Sequence, residues 1–211
     1  MKWIKPVLLT VVFGILLLLG VTAHYYVKGF KNTLKAKPEL NKVNSQRLHS
    51  KIKNLLPVLN SGNFNNAICF MIDMKIASGK NRFFVYDVKK DSIVNAGLVT
   101  HGRCNSNWLE GRKYSNTVGS GCTSLGKYKI GNAYNGRFGR AYKLNGLDST
   151  NSNVFNRYVV LHSHECVPGN EVDPYPICQS DGCPTVSPTF LKELSKVIDQ
   201  SKKPVMLYIF D

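Results

Sequence analysis

The sequence predicts a mainly β domain of largely antiparallel strands with one or two packing helices, preceded by an N-terminal transmembrane or signal helix. Three observations carry this. An uncharged apolar run opens the chain, short β-rich runs separated by Gly, Asn and Ser clusters fill its later part, and no strand-helix alternation marks βαβ units. With 211 residues and 43% hydrophobic composition, the chain can bury one core of ordinary size and still carry an appendage.

The appendage comes first. In "MKWIKPVLLTVVFGILLLLGVTAHYY", Lys2 and Lys5 precede an uncharged run from Val7 to Ala23. A basic head followed by an all-round apolar run is an export signal. It predicts either an uncleaved anchor or a signal peptide cut after Ala23, where Val21 and Ala23 satisfy the small-residue rule. The anchor is favoured, because 17 apolar residues exceed a usual signal core and just span a bilayer.

Net charge is +15 and unevenly spread: residues 1–65 hold ten Lys or Arg against the single acid Glu39, whereas residues 66–211 hold 18 against 12. Three parts are therefore expected: residues 1–26 as signal anchor or signal peptide, 27–65 as a basic amphipathic helical stalk, and 66–211 as the main domain. A basic stalk beside an apolar anchor suits an anionic membrane or wall surface. Export, and the lack of a basic stripe interleaved with stacking aromatics, argue against nucleic acid as a partner.

Within the stalk, Leu40, Val43, Leu48, Ile52, Leu55, Leu56 and Leu59 recur near the 3.6-residue period, so a helix is expected that ends near Pro57. "AICFMIDM" and "RFFVYDV" read as strands, the second turning at "KKDS" into "IVNAGLVTHG" as a hairpin. "GSGCTSLGKYKIG", "RAYKLNGL" and "RYVVLHSH" continue as strands. "SPTFLKELSKVIDQS" is a helix with Ser187 as N-cap and Pro188 in its first turn, and "PVMLYIFD" is a closing strand.

Two of five histidines and three of six cysteines fall in "LHSHECVPGNEVDPYPICQSDGCPTVS", residues 161–187, so this stretch must bind a metal, staple a loop or attack a substrate. His162, His164, Cys166, Cys178 and Cys183 are all zinc-ligand types, but no C-x-x-C pair is present, and a strand over "RYVVLHSH" leaves Cys166 past its end. No metal is expected. In an oxidising space, Cys166 and Cys178 flank a Pro- and Gly-rich loop that a disulfide could close, with Cys104 and Cys122 as a second candidate pair. Cys69, in "AICFMI", reads as a buried small hydrophobe.

That division leaves Cys183 free between Gly182 and Pro184. Gly182 permits close backbone approach, and the N–H groups of Gly182 and Cys183 could face a developing oxyanion, whereas Pro184 has none to offer. A thiol needs a base or a positive neighbour to become a good nucleophile; His162, near a strand end, is the candidate base. Plain packing of both residues is the competing reading.

"RYVVLHSH" followed after a loop by "SDGCPTV" resembles the active-site signature of the L,D-transpeptidases. "RFFVYDVKKDSIVNAGLVTHG" and "TSLGKYKIG" are similar to that family's opening hairpin and a later strand. "HG", "GSGCTSLGKY", "GLDSTNSN" and "GCP" resemble its murein L,D-transpeptidase catalytic-domain-like branch over residues 67–211. Asp181, Thr185 and Ser163 stand where the better-known branch has His, Arg and Gly.

The resemblance implies a YkuD-type curved β-sandwich, held outside the cytoplasmic membrane of a bacterium or secreted if the signal is cleaved. It implies Cys183 as nucleophile and His162 as base, with Gly182, Ser163 and Ser180 as oxyanion or positioning groups and His101 and Asp181 near the substrate. The implied substrate is a murein stem peptide, and no metal or organic cofactor is implied. Hydrolytic use of the same thioester, as an L,D-carboxypeptidase or murein amidase, and a non-catalytic wall-binding module are the alternatives.

Overall fold

The computed structural model describes residues 42–211; the expected anchor or signal over 1–26, and 27–41 of the expected stalk, lie outside the described residues. No described helix is long and apolar enough to cross a membrane. The first helix, α1 (Lys42–Leu59), buries Leu48, Ile52, Leu55 and Leu59 at spacings of four, three and four, one stripe of a 3.6-residue repeat. Each such burial contributes about 1.5–3 kcal/mol.

Arg47 fixes how α1 lies, because its Nε and Nη2 both donate to the fully buried Asp73 carboxylate at 2.9 Å. Over its described length the basic segment is thus packed on the sheet, and both belong to one unit, Val43–Asp211. The helix ends near Pro57 as expected, two residues past it at Leu59. A proline so close to the C-terminus costs one backbone hydrogen bond, which the buried Leu55 and Leu59 offset.

Eight strands form one mixed sheet: β1 (Ile68–Asp73), β2 (Phe83–Asp87), β3 (Ser92–Gly97), β4 (Gly126–Gly136), β5 (Gly139–Gly146), β6 (Val160–Ser163), β7 (Thr185–Val186) and β8 (Met206–Phe210). Their order is β3-β2-β1-β8-β4-β5-β6-β7. β1 with β8 and β6 with β7 are parallel pairs; the rest are antiparallel. The β4–β5 hairpin pairs Gly136 with Gly139, which leaves Arg137 and Phe138 alone at its tip.

The ends of this order meet. Beyond β3 the chain continues through Leu98–Thr100, where Val99 bridges Val186 of β7 and Thr100 N–H donates to Thr185 O at 2.9 Å. The sheet therefore curls on itself around Phe70, Phe83, Tyr128, Tyr142 and Leu161. Helix α2 (Pro188–Gln200) closes one side with Phe190, Leu191 and Leu194. Its N-cap Ser187 accepts from Phe190 N–H at 3.2 Å, and Pro188 occupies the first turn. Because β7 leads straight into this capped helix, the segment bearing Cys183 is anchored at both ends.

One expected strand is shorter than its sequence pattern. Arg157–Val159 of "RYVVLHSH" are not in β6; they end a turn in which Tyr158 has a φ of 56°. The turn brings Val154 O within 3.0 Å of Val159 N–H, so local hydrogen bonding wins over strand extension there.

Candidate active site

β6 and β7 lie side by side and parallel, in a register that pairs His162 with Thr185. That register sets the site. Cys183 sits two residues before Thr185, and its Sγ lies 3.5 Å from the N–H of Val160, two residues before His162. The thiol donates toward Tyr158 O at 3.8 Å. Sulfur thus meets both a donor and an acceptor from the segment that leads into β6.

His162 is buried, and its Nδ1 lies 3.0 Å from Ser163 O. A carbonyl only accepts, so the ring proton sits on Nδ1 and the lone pair on Nε2. Nε2 faces Thr185 Oγ1 at 3.1 Å. Phe138, from the β4–β5 tip, stacks on the ring with centroids 5.0 Å apart and planes 15° from parallel. Burial first, and the neighbouring His164, hold the His162 pKa below its ordinary value, against the opposing bond to Ser163. The imidazole is neutral at neutral pH, the form a general base requires.

Two cysteines are free, and they differ sharply. Cys69 is fully buried in β1, where desolvation pushes its pKa up to about 12. Cys183 is half-buried; burial raises its pKa, as does Asp181, while the Val160 N–H and Arg157 pull it down. Burial is the larger influence, so the resting group is a thiol.

The turn before Cys183 is braced rather than loose. Gly182 has a φ of 106°, and its N–H donates to Ser180 Oγ at 3.2 Å, while Ser180 Oγ donates to Cys183 O at 2.7 Å. Thr100 Oγ1 donates to the same carbonyl at 3.1 Å. These bonds consume the Gly182 N–H, leaving the Cys183 N–H as the donor without an acceptor among the described residues. A Cβ on Gly182 would lie 2.5 Å from Cys122 O, so glycine is required for this approach.

Disulfides join Cys104 to Cys122 and Cys166 to Cys178. The first fixes the backbone whose carbonyl covers Gly182. The second closes the loop after β6, where Val167 and Ile177 are buried with Leu98. With Cys166 and Cys178 bonded to each other, neither is available as a metal ligand; no metal-holding group of three or more His, Cys, Asp or Glu occurs among the described residues.

A family model described as the L,D-transpeptidase catalytic domain matches residues 39–210. The chain belongs to that family. No curated protein matches it. Among solved structures it is similar to an L,D-transpeptidase from Mycobacterium smegmatis, at 12% identity, a TM-score of 0.41, and 69% of this chain and 59% of that one covered. It is also similar to the helical cell shape determining protein Pgp2 (K307A mutant) from Campylobacter jejuni, at 13% identity, a TM-score of 0.46, and 77% and 55% covered. An avibactam carbamoyl enzyme, Ldtfm, matches at 14% identity and a TM-score of 0.42, with 69% and 49% covered. The chain spans about half to three fifths of the length of these three structures.

In this L,D-transpeptidase domain, Cys183, His162, Gly182, Ser163 and Ser180 come together, Ser163 through its backbone carbonyl and Ser180 as a brace. Asp181 is exposed and pairs with Arg103 at 2.7 Å. His101 reaches the site loop through its backbone, its carbonyl accepting from Ser180 N–H at 2.9 Å. Its ring is buried against Arg82, whose Nη2 lies 3.2 Å from Nδ1. Burial, then Arg82 and Arg112, lower its pKa to about 4.

Three contributors, Thr100, Phe138 and Arg157, were not singled out from sequence, and Thr185 was named only as a departure from the better-known branch, not as a partner of His162. Its place at the site could have been found, since two residues past Cys183 in an extended segment is the same face. Thr100, beyond β3, and Phe138, at the β4–β5 tip, are distant in the chain, and Arg157 comes from a turn, so local pattern holds no signal for them.

Proposed function

We propose that this domain catalyses cysteine-dependent acyl transfer on murein stem peptides outside the cytoplasmic membrane. The observation that carries the reading is a free, half-buried Cys183 two residues before Thr185, whose strand partner and hydrogen-bond partner is the neutral His162, in a chain of the L,D-transpeptidase catalytic-domain family. Residues 1–26 would supply the export or anchoring, and the basic segment an affinity for anionic membrane or wall.

Because the thiol pKa is raised, attack needs a base at the moment of reaction. Thr185 Oγ1 lies 3.1 Å from His162 Nε2 and 3.4 Å from Cys183 O, so rotating its hydroxyl toward the carbonyl frees the Nε2 lone pair. Nε2 takes the thiol proton while Sγ attacks the carbonyl between the L-centre of the diamino acid and the terminal D-alanine. Ser163 O, already bonded to Nδ1–H, stabilises the imidazolium that forms.

The developing oxyanion meets the unpartnered Cys183 N–H. Collapse breaks the C–N bond, His162 returns the proton to the departing D-alanine amine, and a Cys183 thioester remains. An amine of a second stem then attacks the thioester, loses a proton to His162 and restores the thiol, leaving a cross-link. Phe138, 46% exposed above the imidazole, borders the face by which a peptide would enter.

The test is incubation of the purified protein with disaccharide tetrapeptides and mass spectrometry of the products. A cross-linked dimer lacking one D-alanine is expected. Shortened monomers alone would replace transfer by hydrolysis, and absence of both products and of any Cys183 acyl adduct would overturn the enzymatic reading in favour of a wall-binding module.

A further inference from the structure

Arg157 has no place in the reaction as written, yet its guanidinium is built into the wall of the site. Nη1 donates to Ser115 O at 2.8 Å and to Ser124 Oγ at 2.5 Å, and Nη2 donates to Cys122 O at 2.6 Å. All three acceptors are neutral. None of the ion pairs among the described residues includes Arg157. A half-buried charge without a counter-charge is costly to keep.

The turn it stands against leads into Cys183. Nη2 lies 3.2 Å from the point where a Cβ on Gly182 would stand, so the missing side chain leaves the guanidinium beside the turn that carries the sulfur. Arg157 directly precedes Tyr158, whose carbonyl accepts a hydrogen bond from the thiol, and lies three residues before Val160, whose N–H points at the sulfur. Tyr158, with a φ of 56°, fixes the turn that aims this segment. Cys122, the anchor of Nη2, is itself held by its bond to Cys104.

Neighbouring charges are few. Asp181 opposes ionisation of Cys183, and burial of Tyr128, the other group acting on Arg157, keeps that phenol neutral. His162, across the strand pair, is neutral at rest.

We propose that Arg157 is the fixed counter-charge of the Cys183 thiolate, a positioning residue that biases the nucleophile toward its ionised form without giving up its three backbone and hydroxyl anchors. This rests on Cys183 being the nucleophile but not on which acceptor follows. The ordinary objection, that Arg157 merely ties three segments together, predicts a different result in one experiment.

The rate of Cys183 alkylation by iodoacetamide, read by peptide mass on the full chain, is measured against pH; the buried Cys69 serves as an unlabelled reference. Arg157→Met should move the midpoint up by about 1–2 pH units, which slows labelling below the midpoint roughly ten- to a hundredfold. Arg157→Lys should keep it within about half a pH unit, since it retains charge while losing the planar fork. Arg157→Gln repeats the neutral arm should Arg157→Met not fold. An unchanged midpoint in the neutral variant, or equal shifts in the neutral and Lys variants, would overturn the proposal. Absence of cross-linking by the native chain, with the midpoint shift of the neutral variant intact, would count against the acyl-transfer reading alone.

Discussion

Gly182→Ala puts the geometry of the nucleophile turn under direct load. At a φ of 106° an L side chain is strained wherever it points, at a cost of about 1–3 kcal/mol. The new Cβ would also fall 2.5 Å from Cys122 O and 3.2 Å from Arg157 Nη2. The first neighbour is backbone, held by the Cys104–Cys122 bond and by Arg157, so it cannot yield cheaply. Overpacking of this kind adds about 1–3 kcal/mol. The sum, on the order of 2–6 kcal/mol, corresponds at its midpoint to a Tm lowered by roughly 10 °C in a domain of this size.

Gly119→Ala is the matched control: its φ is 76°, but nothing lies within 4 Å of the added Cβ. It should cost only about 1–2 kcal/mol of left-handed strain. Thermal melting followed by circular dichroism separates the two, and the labelling rate of Cys183 by a carbapenem gives a second readout. Gly182→Ala should slow labelling at least tenfold, because sub-ångström displacement of a nucleophile is expensive, whereas Gly119→Ala should not. Equal Tm losses in both variants, with equal labelling, would refute the close approach as the reason for glycine.

Opening the Cys166–Cys178 bond by C166S/C178S releases a loop with a sequence separation of 12 and should cost about 2–3 kcal/mol in denaturant unfolding; alkylation of the unfolded, unreduced native protein should label only Cys69 and Cys183, and labelling of Cys166 and Cys178 would contradict the pairing. The pH dependence of Cys183 acylation follows from His162. Its pKa is lowered, so the ring stays neutral further into acid than a free imidazole, and the acid limb should fall below pH 6.5. A midpoint above 6.5 would show an imidazole stabilised in its charged form.

Much of this fold is legible from local pattern, because its elements announce themselves by short-range physics. The short, near-continuous apolar and β-rich runs of "ICFMID" and "FFVYD" make β1 and β2, and Ser187-Pro188 starts α2 where a cap and a preset φ coincide. The parallel pairing of β1 with β8 is another matter, since Phe70 meets Leu207 only through the closing of the whole chain. The same holds for the site. Cys183 stands out by its glycine and by what the other cysteines do, but Arg157 reads as the first residue of a strand and is instead the end of a turn. Phe138 is an ordinary hairpin-tip aromatic until the β4–β5 register carries it over His162.

The central claim is that Cys183 is the nucleophile and His162 its base, and adduct mapping after incubation with a carbapenem tests it most directly. The native chain should carry one adduct, located on Cys183 by peptide mass. Cys183→Ala should carry none while melting as a folded protein, because a small half-buried side chain replaces another. His162→Ala should still be labelled on Cys183, about 10²- to 10⁴-fold more slowly. An adduct on any other residue, or undiminished labelling after loss of Cys183 or of His162, would contradict the account.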